Sequence, residues 1–352
     1  MSDPLVIKID DEHWDGVSEA MISLSVENIS GVFSLTFPQF VDESAFKKIV
    51  SAGSTAKITI GGVGVIDGYV DVIRVITQSG NRRVVISGRD KTGDLVDCDF
   101  AATPNEWKRQ TVLDIVGNLC APFGISVTAS GSAATAAATV IDTYKATEGI
   151  AVFSLISQLC VDNSIMPIAT GNGKLTLVRA EDAVKATGAS INNPGNVIAS
   201  EFVADDTNRY SQYTAKGQGI ETPEKSLSAF LQAQGIFPDS IITRNRTKII
   251  FPENPSANAS CLARAKWEAK YRAGMSRQFS YTVGSFLRDG KKPWLINTLV
   301  PVSDEGLKYS GDLYCHEILF QRTGAQDRTM LSLVAPFTFS ADSKIEKMVV
   351  DA

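Results

Sequence analysis

Histidine is nearly missing from this chain: His13 and His316 are the only two among 352 residues. A serine or cysteine triad with an imidazole base would have to use one of them, and no G-x-S-x-G elbow accompanies either. His316-Glu317 opens like a zinc-protease helix, but position 320 is Phe and the local period is that of a strand. Cysteine is sparse too. Cys98, Cys120, Cys160, Cys261 and Cys315 are scattered, with no Cys-x-x-Cys pair, and they read as reduced thiols filling small apolar sites in a protein made in a cytoplasm. Phosphate loops are lacking as well. Gly171-Asn172-Gly173-Lys174 looks like the end of one, but Ile168 and Leu175 stand where it needs Gly and Ser or Thr, so it reads as a hairpin turn. Gly62, Gly64 and Gly68 do not fit G-x-G-x-x-G and precede a strand.

An excess of positive charge is also absent. The formal net charge is −5, with 44% hydrophobic and 21% charged residues. That balance supports a buried core and excludes a protein that grips nucleic acid through a strong basic field. No uncharged apolar run approaches the ~18 residues of a membrane helix, and the acidic start Met1-Ser2-Asp3-Pro4 lacks the pattern of a secretory signal. The acidic runs Asp10-Asp11-Glu12 and Asp205-Asp206 leave a two-carboxylate glycosidase open on spacing, although acidic pairs in turns are usually solvated faces. We expect no catalytic, cofactor-binding or metal-binding residues and no cofactor.

What is present is strand. Ile22, Leu24 and Val26 alternate with polar residues, and Phe33, Leu35 and Phe37 repeat the period of two after a turn at 28–31. Ala56 to Ile60, Tyr69 to Thr77 and Arg82 to Ser87 follow, joined by turns at 61–64 and 78–81. Short strands joined by glycine-containing turns predict an antiparallel barrel or sandwich over residues 1–100.

The character changes near Thr103. Val112, Ile115, Val116 and Leu119 predict a helix stopped by Pro122-Phe123-Gly124, and a second helix is expected from about Thr147, with Ile150, Phe153, Ile156, Leu159 and Cys160 on one face. The alanine-rich stretch 129–139 between them reads as a loose surface connection. Ile165 to Ala169 and Lys174 to Val178 predict a hairpin, so residues 101–192 form a small mixed α/β insert. Strands resume at Val197 to Val203 and Tyr210 to Lys216. A helical insertion at about 221–275 then holds a short helix from Thr222-Pro223 through Leu231 and a longer one from Asn258 to Arg272, ended by Gly274. Further strands are expected at 278–286, 295–302 and 313–339, completing a second β-domain over 193–345 before a tail, 346–352.

The chain also repeats itself. A shift of 245 positions brings Asp67, Tyr69, Ile73, Arg83 and Ser87 onto Asp312, Tyr314, Ile318, Arg328 and Ser332, across hairpins of the same length. Two related β-domains account for this pattern, and two unrelated hairpins are the alternative. The fold class is therefore β-rich α+β: two related antiparallel β-barrel domains, an inserted small α/β domain and helical insertions. Between the first barrel and the insert lies Gly88-Arg89-Asp90-Lys91-Thr92-Gly93-Asp94-Leu95-Val96-Asp97. Arg89, Asp90, Lys91, Asp94 and Asp97 form either a solvated turn or a fixed salt-bridge corner that holds the barrel end against the next unit or a neighbouring subunit.

The GRDKTGDLVDCD run at 88–99, the GYVD strand start at 68–71, Trp107 downstream and the order of barrel, insert and barrel together resemble the baseplate hub proteins of contractile-tailed bacteriophages, of the Mu-like and late-control-D type. The likeness extends to the N-terminal half of type VI secretion spike proteins, whose needle has no counterpart here. The resemblance implies a non-enzymatic structural protein of the virion tail baseplate, made and assembled in the host bacterial cytoplasm. It implies a homotrimer with pseudo-sixfold symmetry that joins the tail tube, or tube-initiator proteins, to a spike formed by a separate chain. A mildly acidic channel would then let DNA pass without binding it. A tail-associated peptidoglycan-degrading enzyme and a stand-alone β-rich binding module are the competing readings.

Overall fold

The computed structural model describes residues 4–38, 50–78, 81–101, 103–186, 188–217, 233–251, 258–340 and 345. The first β unit contains β1 (Leu5–Ile9), β2 (Glu12–His13), β3 (Glu19–Ser25), β4 (Val32–Pro38), β5 (Thr55–Ile60), β6 (Val63–Gln78) and β7 (Asn81–Asp90). They pair antiparallel in the order β2-β1-β5-β6-β7-β4-β3. The alternation seen in the sequence decides which face turns inward: Ile22, Phe33, Leu35 and Phe37 are buried.

The insert holds α1 (Gly93–Asp97), β8 (Glu106–Thr111), α2 (Val112–Cys120), β9 (Ser126–Ala129), α3 (Ser132–Ala137), β10 (Val140–Lys145), α4 (Val152–Asp162), β11 (Met166–Ala169) and β12 (Lys174–Val178). Thr111 and Asp114 form a capping box at the start of α2, and Ile115, Val116 and Leu119 pack on Leu155, Ile156 and Leu159 of α4. Two expectations are corrected here. The alanine-rich stretch is not a loose connection: it ends β9 and then forms α3, with Ala133 and Ala137 fully buried. Alanine is the strongest helix former and is small enough to pack closely. The second helix begins at Val152, so Ile150 lies ahead of it and stays largely exposed.

The remaining strands are β13 (Val184–Lys185), β14 (Ile191–Asn193), β15 (Val197–Ala204), β16 (Gln212–Lys216), β17 (Gln234–Pro238) and β18 (Thr247–Ile250). After α5 (Asn258–Met275) come β19 (Arg277–Val283), β20 (Thr298–Asp304), β21 (Tyr309–Thr323) and β22 (Gln326–Val334). Strands β16, β17 and β18 form a separate three-stranded sheet. Cys261, Ala265 and Ala269 of α5 cover Tyr213, Ala215 and Ile250 of that sheet. The expected helix through Leu231 lies outside the described residues. Helix α5 runs past Gly274, and Glu268 bonds both Arg264, at 2.8 Å, and Arg272, at 2.6 Å. Not every pairing is antiparallel: β13 and β14 run parallel to β20, β9 to β12, and β16 to β18. The strands expected over 313–339 form the hairpin β21–β22, which ends at Val334, and the chain then turns so that Phe337 and Phe339 are buried.

The repeat read from the sequence is a repeat of register. Strand β6 pairs with β7 through Ile73↔Ile86 and closes at Gln78↔Asn81; β21 pairs with β22 through Ile318↔Leu331 and closes at Thr323↔Gln326. The same 245-residue shift superimposes these pairs and the two bulges, between Val70 and Val72 and between Cys315 and Glu317. Neighbours follow suit. Ser87 pairs Ser34 on β4, which pairs Met21 on β3; Ser332 pairs Ser280 on β19, which pairs Glu201 on β15. Thus β3-β4-β7-β6-β5 corresponds to β15-β19-β22-β21-β20.

The two units are fused edge to edge. Beyond its bulge, β21 (residues 317–323) pairs antiparallel with β3, with Ile318 opposite Leu24 and Phe320 opposite Ile22. One 14-stranded sheet therefore runs through both units, and one core cluster contains Ile22, Leu35, Phe286 and Phe320.

Candidate functional site

The 88–97 segment lies where the first β unit passes into the insert. Arg89 is near the end of β7, and its guanidinium reaches Asp71, the bulge residue of β6, at 2.9 Å. The same group makes a two-pronged pair with Asp97 at the end of α1, at 2.6 and 3.1 Å. This planar fork suits a carboxylate and ties together strand end, bulge and helix. Lys91 lies 3.4 Å from Asp67 on β6. Asp94, in the first turn of α1, shares the field of Arg89 without joining its pair, and burial pushes its carboxyl up.

Asp90 is the buried member of the group. Its carboxylate accepts from the backbone N–H of Asp67 at 3.2 Å and of Thr92 at 3.3 Å. The fully buried Thr92 hydroxyl donates to the Ile29 carbonyl at 2.9 Å, linking the β3–β4 turn to the same point. Burial pushes the Asp90 carboxyl above its usual range, against the pull of these donors. Leu95 then drops into the core of the insert beside Ile29. The hairpin is pinched at this end: a Cβ on Gly88 would lie 1.9 Å from the Tyr69 carbonyl oxygen, and one on Gly68 would lie 1.8 Å from that of Arg89.

The second unit answers with a different pair at the equivalent bulge. His316, the counterpart of Asp71, is buried against Phe339, with Nδ1 3.5 Å from Glu27 just beyond β3. The Tyr271 hydroxyl of α5 donates to the same carboxylate. Both neighbours hold the Glu27 carboxyl below its usual range against the opposing effect of burial. Glu27 and Tyr271 line a cleft of about 340 Å³ between the insert and α5, with Phe153, Arg179, Trp267 and Phe339 around it.

These groups brace elements; they do not converge on a reacting atom. Among the described residues no three His, Cys, Asp or Glu side chains are placed to hold a metal ion, and no helix is long and apolar enough to cross a membrane. Cys120, Cys160, Cys261 and Cys315 are buried, and burial pushes the Cys120 and Cys160 thiols up to about 12. The sequence named five members of the corner. The structure adds Asp67, Asp71 and Thr92; the repeat had marked Asp67, the GYVD strand start held Asp71, and Thr92 stood inside the 88–97 run.

Two family models match the chain: Mu phage baseplate assembly protein GpP-like, N-terminal, over residues 4–90, and baseplate hub protein gp44-like, second domain, over residues 92–179. The boundary between them falls in the Arg89–Asp97 corner. The baseplate hub protein gp44 of Escherichia phage Mu is 26% identical over 308 residues, covering 86% of this chain and 79% of that one. The 43 kDa tail protein of prophage MuSo2 from Shewanella oneidensis superimposes with a TM-score of 0.83 at 27% identity, over 96% of this chain and 99% of that one. A tail protein from Neisseria meningitidis MC58 shares the fold, with a TM-score of 0.80 at 17% identity, over 97% and 99% of the two chains.

Proposed function

Since the chain belongs to the baseplate hub family of Mu-like phages and is a structural hub protein of a phage tail, we propose that three copies close into a ring with pseudo-sixfold symmetry. This ring joins the sixfold tail tube, or its initiator, to a trimeric central spike made by a separate chain. The observation that carries this reading is the register-matched repetition of one bulged sheet module, fused within the chain through β3 and β21. A threefold ring meets a sixfold one without gaps only if each chain offers two similar surfaces at similar radius.

On this reading the chain divides into a first barrel (1–100), the insert (101–192), a second barrel carrying the helical insertion (193–345) and a tail (346–352). The Arg89–Asp97 corner sets the angle between the first barrel and the insert. The protein acts as a virion component without catalysis. The named relatives are all tail proteins, and the braced carboxylates here serve packing. Light scattering on the purified chain at high concentration, alone and with the spike protein, is expected to give a trimer mass. Negative-stain images should show rings with six lobes. A monomer under both conditions overturns the proposal.

A further inference from the structure

The repeat leaves one half of its pattern unfilled. In the second unit, β21 continues past its bulge and residues 317–323 pair with β3. In the first unit, β6 continues past the matching bulge, but among the described residues no strand pairs with residues 72–78 on the side away from β7. The counterpart of β3 is β15, which among the described residues pairs only with β19 and ends the long sheet. Among the described residues one chain therefore carries an unpaired strand segment and, at one end of its sheet, the edge strand that repeat symmetry assigns to it.

We propose that β6 residues 72–78 of one copy pair antiparallel with β15 of a second copy, in the register set by the β21·β3 seam. This deepens the ring reading and rests on it. Carried over residue by residue, the seam places Ile73 opposite Ala204, Arg74 opposite Val203, Val75 opposite Phe202, Ile76 opposite Glu201 and Thr77 opposite Ser200.

Three observations support a second copy as the occupant. First, the core-facing contact is of the same kind and within one methylene in size. Within the chain Phe320 faces Ile22, and both are fully buried; across the proposed seam Val75 faces Phe202, with the aromatic and the β-branched residue exchanged. Val75 is 45% exposed in the single chain, as expected of a core position waiting for its cover. Second, apolar residues lie exposed on both edges: Val72 at 48% on one, and Ile198 and Val203 at 53% and 42% on the other. Third, the charges are complementary. Arg74 sits on a segment, 72–78, that carries no acidic residue, whereas β15 and its extension carry Glu201, Asp205 and Asp206. The register sets Arg74 diagonally between Glu201 and Asp205, within reach of a long side chain. An unpaired edge otherwise invites uncontrolled pairing. A head-to-tail contact of this kind closes rings when its rotation permits.

Cross-linking tests the register. In a Cys98→Ser background, Thr77→Cys with Ser200→Cys, and Ile76→Cys with Glu201→Cys, probe adjacent opposed pairs. Adjacent pairs alternate between wide and narrow spacing, so at least one lies within disulfide reach. Oxidation should give disulfide-linked dimers and trimers for at least one of the pairs. Thr77→Cys with Glu201→Cys, slipped by one residue onto opposite faces, should give none. Mixing the Thr77→Cys and Ser200→Cys single variants should stop at a dimer, and neither should link alone. Arg74→Glu should raise the concentration for half-assembly about tenfold or more, and adding Glu201→Arg should recover most of the loss. A trimer by light scattering with no in-register cross-link at either pair, or with equal linking at the slipped one, overturns this seam and leaves the ring standing. A chain that never assembles overturns both.

Discussion

Asp90 and Asp97 lie on either side of one short helix and answer to opposite forces. The Arg89 guanidinium holds the exposed Asp97 carboxyl below its usual range, so its contribution to stability is present above that range and fades as pH falls through its folded value. Asp90 is governed by burial. Its folded form keeps a proton more readily than the unfolded chain does, so its contribution shrinks as pH rises from the usual carboxylate value through the folded one. Three outcomes follow for thermal unfolding. Asp90→Ala leaves the N–H groups of Asp67 and Thr92 without an acceptor inside the protein and should cost about 1–3 kcal/mol. Asp94→Ala with Asp97→Ala removes a half-buried carboxylate and the exposed partner of the Arg89 fork, and should lower the melting temperature, though by less than Asp90→Ala does. Asp90→Asn cannot titrate, so as pH rises from the usual carboxylate value its melting temperature should gain on that of the natural chain until the folded Asp90 has lost its proton, and then hold a constant lead. A gap that stayed constant throughout the rise would mean that Asp90 does not change its protonation state on folding.

At the scale of elements, the bulged hairpin is the working part, and its two copies differ where the chain is pinched. Gly68 and Gly88 in the first copy correspond to Leu313 and Leu333 in the second. Gly88→Ala drives a methyl group into the Tyr69 carbonyl and the Phe33 ring. It should therefore cost at least about 1–3 kcal/mol, measured by urea unfolding, whereas Leu333→Ala should show the ordinary cost of a cavity. Much of this hairpin was legible in the sequence, because alternation and polar turns are local signals: Phe33, Leu35 and Phe37 face inward as their period demands. The 245-residue shift was legible too, as Tyr69 and Tyr314, and Ser87 and Ser332, occupy equivalent places. What local pattern could not carry was pairing between distant segments. The β3·β21 seam joins residues about three hundred positions apart. The parallel partners of β20 are two- and three-residue strands, too short to show a period. Alanine-rich 132–137 hid a helix because low complexity and helix propensity look alike without the core that buries Ala133 and Ala137. At the corner, the alternating charges of 88–97 were visible, but Asp71 was not, since a bulge residue is identified by the strand opposite it.

For the whole molecule, the question is which contacts a single chain can satisfy alone. The central core draws side chains from both modules, with Ile22 and Leu35 of the first beside Phe286, Phe320 and Leu331 of the second. The insert and the α5 layer close over cores of their own. Among the edges left open in the described residues are the two that the repeat relates to the β3·β21 seam: the far half of β6 and the outer side of β15. Both edges are held in shape by strands behind them, β7 and β19, so neither needs a neighbouring copy in order to form. Association therefore joins preformed edges and does not fold the chain, and the two equilibria separate on dilution. As the assembled protein is diluted at fixed temperature, its mass by sedimentation should fall to that of one chain while far-ultraviolet circular dichroism and tryptophan emission stay constant. The midpoint of urea unfolding for the single chain should then no longer depend on concentration. Loss of secondary structure in step with loss of mass would show instead that the ring completes the fold, and that the edge strands are not formed before they meet.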